Sequence, residues 1–137
     1  MRLLRLLFPT FLLFIFFSCT KDYSNEVGNS SPFAQGTLKD SLGDCLFDSA
    51  FGAFYSDSMP GLDTNYVAVK MNITQPGTYN IVTDLQNGLR FADSGYIYNK
   101  GDTIIHLKPT GTPLTQQATF FTINFNNDVC YLFVHVQ

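Results

Sequence analysis

Between residues 67 and 74 the chain alternates strictly, with Val67, Val69, Met71 and Ile73 at one set of positions and Ala68, Lys70, Asn72 and Thr74 at the other. Successive side chains of a strand point to opposite faces, so this stretch is read as a β-strand with one buried face. The same period returns near the end of the chain, where Cys130, Leu132, Val134 and Val136 share the core face of a strand predicted over 129–136. Further strands are predicted over 79–83, 89–91, 96–98, 103–108 and 120–125, while no helical period is sustained.

The turn residues divide these segments. Gln75-Pro76-Gly77 is expected to return the chain as a hairpin, Asn87-Gly88 and Asp93-Ser94-Gly95 to bracket 89–91, and Asn99-Lys100-Gly101-Asp102 to precede the next strand. Pro109-Thr110-Gly111-Thr112-Pro113 breaks the pattern and is expected to cross between sheets, because proline cannot donate to a ladder. Asn126-Asn127-Asp128 closes a last hairpin. The expected class is all-β, an antiparallel β-sandwich occupying residues 33–137.

A different pattern opens the chain. Residues 3–17 are almost unbroken apolar sequence interrupted by Arg5, Pro9 and Thr10, preceded by Arg2 and followed by Ser18 and Cys19. A basic start, an apolar middle and a small residue at the end form an export signal over residues 1–18. A retained anchor helix would need about 20 apolar residues, and this run is shorter and carries a proline. Phe16-Phe17-Ser18-Cys19 resembles the bacterial lipobox, although that pattern prefers an aliphatic residue where Phe16 stands and a small one at Phe17. The resemblance implies that Cys19 carries the lipid and becomes the first residue of the mature protein; the alternative is an ordinary secretory signal with Cys19 as a bystander thiol. Several acyl chains would hold the protein on a bilayer stably, since each buried methylene contributes about 0.8 kcal/mol.

Residues 19–32 are polar and too poor in apolar side chains to order themselves, so they read as a flexible tether. The opening Cys19-Thr20-Lys21-Asp22 is similar to the stretch that follows the lipid cysteine in many surface lipoproteins of the Bacteroidota. That implies attachment to the outer membrane with exposure at the cell surface; a merely soluble linker is the alternative. Removal of residues 1–18 takes Arg2 and Arg5 from the eight Lys and Arg, leaving six against eleven Asp and Glu, a mature charge of about −5. With no basic cluster in that part, nucleic acid is excluded as a partner.

Of three cysteines, Cys45 and Cys130 remain after Cys19 is set aside. Export places them in an oxidising compartment, where a bridge would close a loop of about 86 residues and contribute roughly 4–5 kcal/mol in the chain-entropy model. Two buried thiols are the alternative.

The succession Asn65-Tyr66-Val67, Pro76-Gly77-Thr78-Tyr79, Asn87-Gly88, Phe91, Ser94-Gly95, Gly101 and Gly111-Thr112-Pro113, ending in a strand with Cys130, resembles the Ig-like repeat modules of Bacteroidota surface proteins and lipoproteins. The resemblance covers residues 33–137 and implies an Ig-like sandwich, a paired Cys45 and Cys130, and no shared catalytic residues. This chain holds one copy where arrays are usual.

Candidate chemistry is sparse. His106 and His135 fall inside strands, and no His-Glu-x-x-His, Gly-x-Ser-x-Gly or phosphate-cradling loop is present. Asp57 and Asp63 flank Pro60-Gly61 without the spacing of a calcium loop, so a solvated turn is expected there and no metal or cofactor is assigned. Tyr96 with Tyr98, and Tyr131 with Phe133, share strand faces and are candidate aromatic binding pairs, though packing is the ordinary role of such pairs. Asp40-Ser41-Leu42, Asp48-Ser49-Ala50, Asp57-Ser58-Met59 and Asp102-Thr103-Ile104 resemble Bacteroidota O-glycosylation sites, which marks Ser41, Ser49, Ser58 and Thr103 as acceptors; Asp-Ser pairs also simply mark turns. The expectation is a non-catalytic, lipid-anchored cell-envelope protein acting in adhesion, protein interaction or as an accessory module, with an unknown protein or glycan partner. The alternative is a small glycan-binding surface lipoprotein.

Overall fold

The structure is a computed structural model that describes residues 31–46 and 48–137; the predicted export signal, Cys19 and nearly all of the predicted tether lie outside the described residues. The described part is all-β and antiparallel, with eight strands and no helix. They are β1 (Gln35–Thr37), β2 (Asp48–Phe51), β3 (Tyr66–Gln75), β4 (Gly77–Val82), β5 (Leu89–Ile97), β6 (Gly101–Gly111), β7 (Ala118–Phe125) and β8 (Asp128–His135). The first sheet runs β1-β3-β6-β5-β4 with β2 also on β3, and β7 pairs with β8 in a second.

Alternation works as expected in β3 and at the end of the chain. Val67, Val69, Met71 and Ile73 are all buried, as are Cys130, Leu132, Val134 and Val136, and both rows enter one core shared by the two sheets. At its centre the rings of Phe54, Phe91 and Phe121 meet edge to face, with centroids 5.7 Å and 5.1 Å apart. Such pairs add about 0.5–1.5 kcal/mol each beyond the area they bury. Phe91 lies on β5 and Phe121 on β7, so this chain of rings joins the sheets.

β1 and β2 are two halves of one interrupted edge. β1 pairs with the far end of β3 (Thr37 with Asn72) and β2 with its start (Ser49 with Ala68), while the segment between them turns aside. Leu38 in that segment is buried, its N–H donates to Asp128 Oδ2 at 2.8 Å, and the Thr37 hydroxyl donates to the same oxygen. The Thr37 hydroxyl, with the Leu38 N–H and Lys39 adding to it, holds the Asp128 carboxyl below its usual value despite a little desolvation. Cys45 bonds to Cys130 of β8, with Cα atoms 5.9 Å apart and a sequence separation of 85. That bridge fits an oxidising compartment outside the cytosol. Beyond β2 the chain meets the far end of β8: Phe54 bridges Val136 in parallel, and the Gln137 N–H donates to the Phe54 carbonyl at 2.7 Å.

Three local expectations are corrected. Gln75-Pro76-Gly77 does not close a hairpin, for β3 and β4 form no ladder with one another. Segment 32–34 occupies the place beside β4 instead, with the Ala34 N–H donating to the Thr78 carbonyl and the Thr78 N–H to that of Pro32, both at 2.8 Å. Gly77 allows this approach, because a Cβ there would collide with the carbonyl of Pro32. Asp93-Ser94-Gly95 is not a turn but the middle of β5. There the Tyr79 ring from β4 covers Gly95 across the ladder and its hydroxyl donates to Asp93 at 2.6 Å, so tertiary packing overrides turn propensity. Finally, β6 continues through Pro109 to Gly111 before the chain crosses to β7. Its partner changes from β3 to β5 after Leu107, so Pro109 lies past the last β3 pair with a neighbour on one side only.

Two expected turns take the predicted form. Asn87 and Gly88 both have positive φ, 47° and 75°, and their tight turn is closed by reciprocal hydrogen bonds between Gln86 and Leu89. The Asn87 side chain then fastens the crossover, accepting from the Thr115 N–H at 3.0 Å and donating to its carbonyl at 2.8 Å. Asn126, with φ 51°, opens the β7–β8 turn.

Replacing Cys45 and Cys130 together by alanine is expected to lower unfolding free energy by about 2–5 kcal/mol, as loss of a native bridge does in small domains. Chemical denaturation of the double variant against the oxidised protein checks this. Burial, with the adjacent Asp93 carboxylate, pushes the Tyr79 hydroxyl up from 10.0 to about 12. A folded value above the unfolded one means that this contribution is complete below pH 10 and is lost as the pH rises through about 12. Absorbance titration of phenolate is expected to show one tyrosine ionising last, a step missing from Tyr79→Phe.

Candidate functional site

The outward rows of β2, β3 and β6 build the most organised surface. Register sets Phe51 beside Tyr66, Ala68 between Ser49 and His106, Lys70 beside Ile104, and Asn72 between Thr37 and Asp102. Ala68 is the smallest side chain of its row, and a hollow of about 170 Å³ opens over it, walled by Ser49, Phe51, Lys70 and Ile104. Its surface is almost wholly apolar. Phe51 stacks on Tyr66 with centroids 4.8 Å apart and planes at 17°, and Tyr66 meets the His106 ring at 4.4 Å, so three rings in a row fix the wall.

Past Lys70 the hollow gives way to a polar recess of about 360 Å³ lined by Thr37, Lys39, Ser41, Asn72 and Asp102 among others. Lys70 Nζ lies 2.9 Å from Asp102 Oδ2, and the Asn72 amide donates to Asp102 Oδ1 at 2.8 Å. The Lys70 hydrogen bond, then that of Asn72, holds the Asp102 carboxyl below its ordinary value. Such an exposed pair adds little to stability in water. What it does is hold three polar side chains from two strands in one arrangement. Alternation in β3 foretold that Ala68, Lys70 and Asn72 share a face; the hollow depends on cross-strand register with residues 49, 51 and 104, which no local pattern carries.

A second surface lies on the outside of the β7–β8 hairpin. Phe120 sits opposite Phe133 with centroids 5.2 Å apart at 54°, and Thr122 opposite Tyr131. Phe120 is 64 % exposed, Phe133 48 % and Tyr131 67 %, with Val129 exposed beside them. Phe133 and His135 also line an open groove of about 440 Å³ between β8 and β2, together with Ser49, Ala50 and Phe54. The predicted pair Tyr131 and Phe133 therefore belongs to a larger apolar patch that includes Phe120.

Tyr96 and Tyr98 are close, 4.8 Å between centroids, but their planes are tilted by 53° and form no flat platform. Among the predicted acceptors, Ser41 and Ser58 are exposed outside the strands, Ser49 is half-buried in β2, and Thr103 is half-buried on the core-facing row of β6. Ser41 sits in a turn where Asp40 Oδ1 accepts from the N–H groups of Leu42 and Asp44. Asp57 and Asp63 are exposed in the loop before β3, and among the described residues no group of three or more His, Cys, Asp or Glu is placed to hold a metal ion. His106 and His135 face outward on β6 and β8. No family model, curated protein or solved structure matches the chain.

Proposed function

We propose that the chain is a non-catalytic, exported module, anchored in the outer membrane through a lipid on Cys19, that binds a protein partner through the outer face of its β7–β8 hairpin. The observation that carries the reading is that face: Phe120, Val129, Tyr131 and Phe133 are exposed together on paired strands. Apolar patches rimmed by polar residues mark interaction sites on soluble domains, and aromatic residues are enriched at the centres of such sites. The adjoining groove between β2 and β8 extends the surface along two strand edges, which supply main-chain donors and acceptors to a partner.

The domain itself is an Ig-like sandwich in this reading. With β4 taken alongside β7 in place of its ladder to β5, the order becomes β1/β2-β3-β6-β5 against β4-β7-β8, that of the A-B-E-D and C-F-G sheets, with Phe54 the parallel partner of Val136 at the end of the last strand. Support for the β4–β7 neighbourhood comes from the Asp84 N–H donating to the Thr122 carbonyl at 3.2 Å and Asp84 Oδ1 accepting from the Thr122 N–H at 2.7 Å. The disulfide joins the interrupted edge to the last strand and not the two central strands. β4 also pairs with β5, which links the sheets where an Ig domain separates them. Ser41 and Ser58, exposed in loops, are the acceptors for O-glycans.

Metabolic labelling with a fatty-acid analogue is expected to tag the wild type and not Cys19→Ala; label in both, or in neither, overturns the anchor. Surface protease treatment of intact cells is expected to digest the labelled protein, and full protection would move its partners to the periplasm. A photo-crosslinking amino acid at position 120 or 133 is expected to trap one discrete protein in living cells, and the same residue at position 98 to trap none. Equal or absent crosslinking at all three positions would discard the hairpin as the docking face.

A further inference from the structure

The surface over β3 and β6 has a composition that neither folding nor a protein-docking role requires. Its hollow is apolar and framed by a ring held in a stack, whereas the recess beside it is polar and pre-arranged. At about 170 Å³ the hollow alone is smaller than the 300–1,000 Å³ usual for a ligand pocket, but the adjoining recess of about 360 Å³ brings the two together into that range. Lys70 belongs to the wall of both, so the two adjoin across its side chain, the apolar hollow on one side and the recess lined mostly by polar residues on the other.

A saccharide has matching chemistry: a ring with an apolar C–H face and a rim of hydroxyls that each donate and accept. Asp102 is already engaged by Lys70 and Asn72, which orients all three and leaves the Asn72 carbonyl oxygen, the remaining Lys70 hydrogens and further Asp102 lone pairs free for hydroxyls. An ordinary apolar peptide side chain would fill the hollow but leave that network without a purpose. We propose that the hollow over Ala68 and the Lys70–Asn72–Asp102 network form a saccharide-binding site, with the sugar ring seated between Phe51 and Ile104 and its hydroxyls bound by Asn72, Asp102 and Lys70. Thr37 and Lys39 line the direction in which a second sugar unit would extend. This site is distinct from the tilted Tyr96 and Tyr98 pair and from the hairpin face, so its failure would leave the protein-docking reading standing.

The test is saturation-transfer NMR on the full chain, purified with its N-terminus intact, against methyl glycosides of hexoses, N-acetylhexosamines and hexuronic acids. Transfer to the ring protons of at least one glycoside is expected. Ala68→Ile, which fills the hollow from an outward strand position, and Asn72→Ala, which removes an exposed amide, are each expected to weaken that binding about tenfold or more at unchanged thermal stability. Tyr98→Ala is expected to leave it intact. Absence of transfer to every glycoside overturns the proposal, as does transfer that survives both Ala68→Ile and Asn72→Ala. Binding of only an apolar dye such as anilinonaphthalene sulfonate overturns it too, and would make the hollow a pocket for a hydrophobic side chain. Should Ala68→Ile fail to fold, Asn72→Ala decides the matter.

Discussion

The Cys45–Cys130 bond ties an interrupted sheet edge to the last strand of the other sheet, and the rest of the fold is arranged around that tie. β7 and β8 form a ladder only with each other, and a lone two-stranded hairpin is marginal in water. Their stability has to come from outside the ladder. The core supplies it from one face, through Phe121 against Phe91 and through the buried row on β8. At the edges the fastenings are few and specific: the disulfide and the Asp128–Leu38 bond near the start of β8, the Phe54–Val136 bridge at its end, and the bond from Thr122 of β7 to Asp84. Between those fastenings the edge of β8 faces the open groove along β2, and the outer rings of the hairpin are left to solvent.

This division explains why two unlike surfaces coexist on so small a domain. The hairpin presents apolar rings without polar partners, suited to burial against another protein. The β2-β3-β6 face instead keeps its apolar hollow next to an ion pair and an amide. Asp102 and Lys70 contribute little to folding, so their placement is better understood through what they orient than through what they stabilise.

Long, strictly alternating strands were readable from sequence because their burial follows local period alone, as in β3 and β8. The Asn87-Gly88 and Asn126 turns were readable because positive φ restricts the residues that take it. β1 and β2 were not, being three and four residues long and defined by their pairing to β3 and not by a pattern of their own. Asp93-Ser94-Gly95 misled because turn-forming residues sit in a strand when a neighbouring tyrosine covers the glycine. The aromatic pairs were seen within single strands, whereas Phe120 and the Phe51–Tyr66–His106 row join their partners only across ladders. The reading of Cys19 as a lipid-bearing residue comes from the sequence, and that part of the chain lies outside the described residues.

Where the bridge sits also governs how the domain responds to mechanical load. A pull applied at Ser31 and resisted at Gln137 reaches the disulfide after only residues 31–45 and 130–137, and the force then passes through the sulfur atoms. At 3.3–3.6 Å per residue, those two segments extend to about 76–83 Å. The 84 residues between the cysteines stay in a closed loop that tension cannot lengthen. Both the hollow over Ala68 and the segment of β7 that carries Phe120 lie within that loop, shielded from shear for as long as the bond remains oxidised.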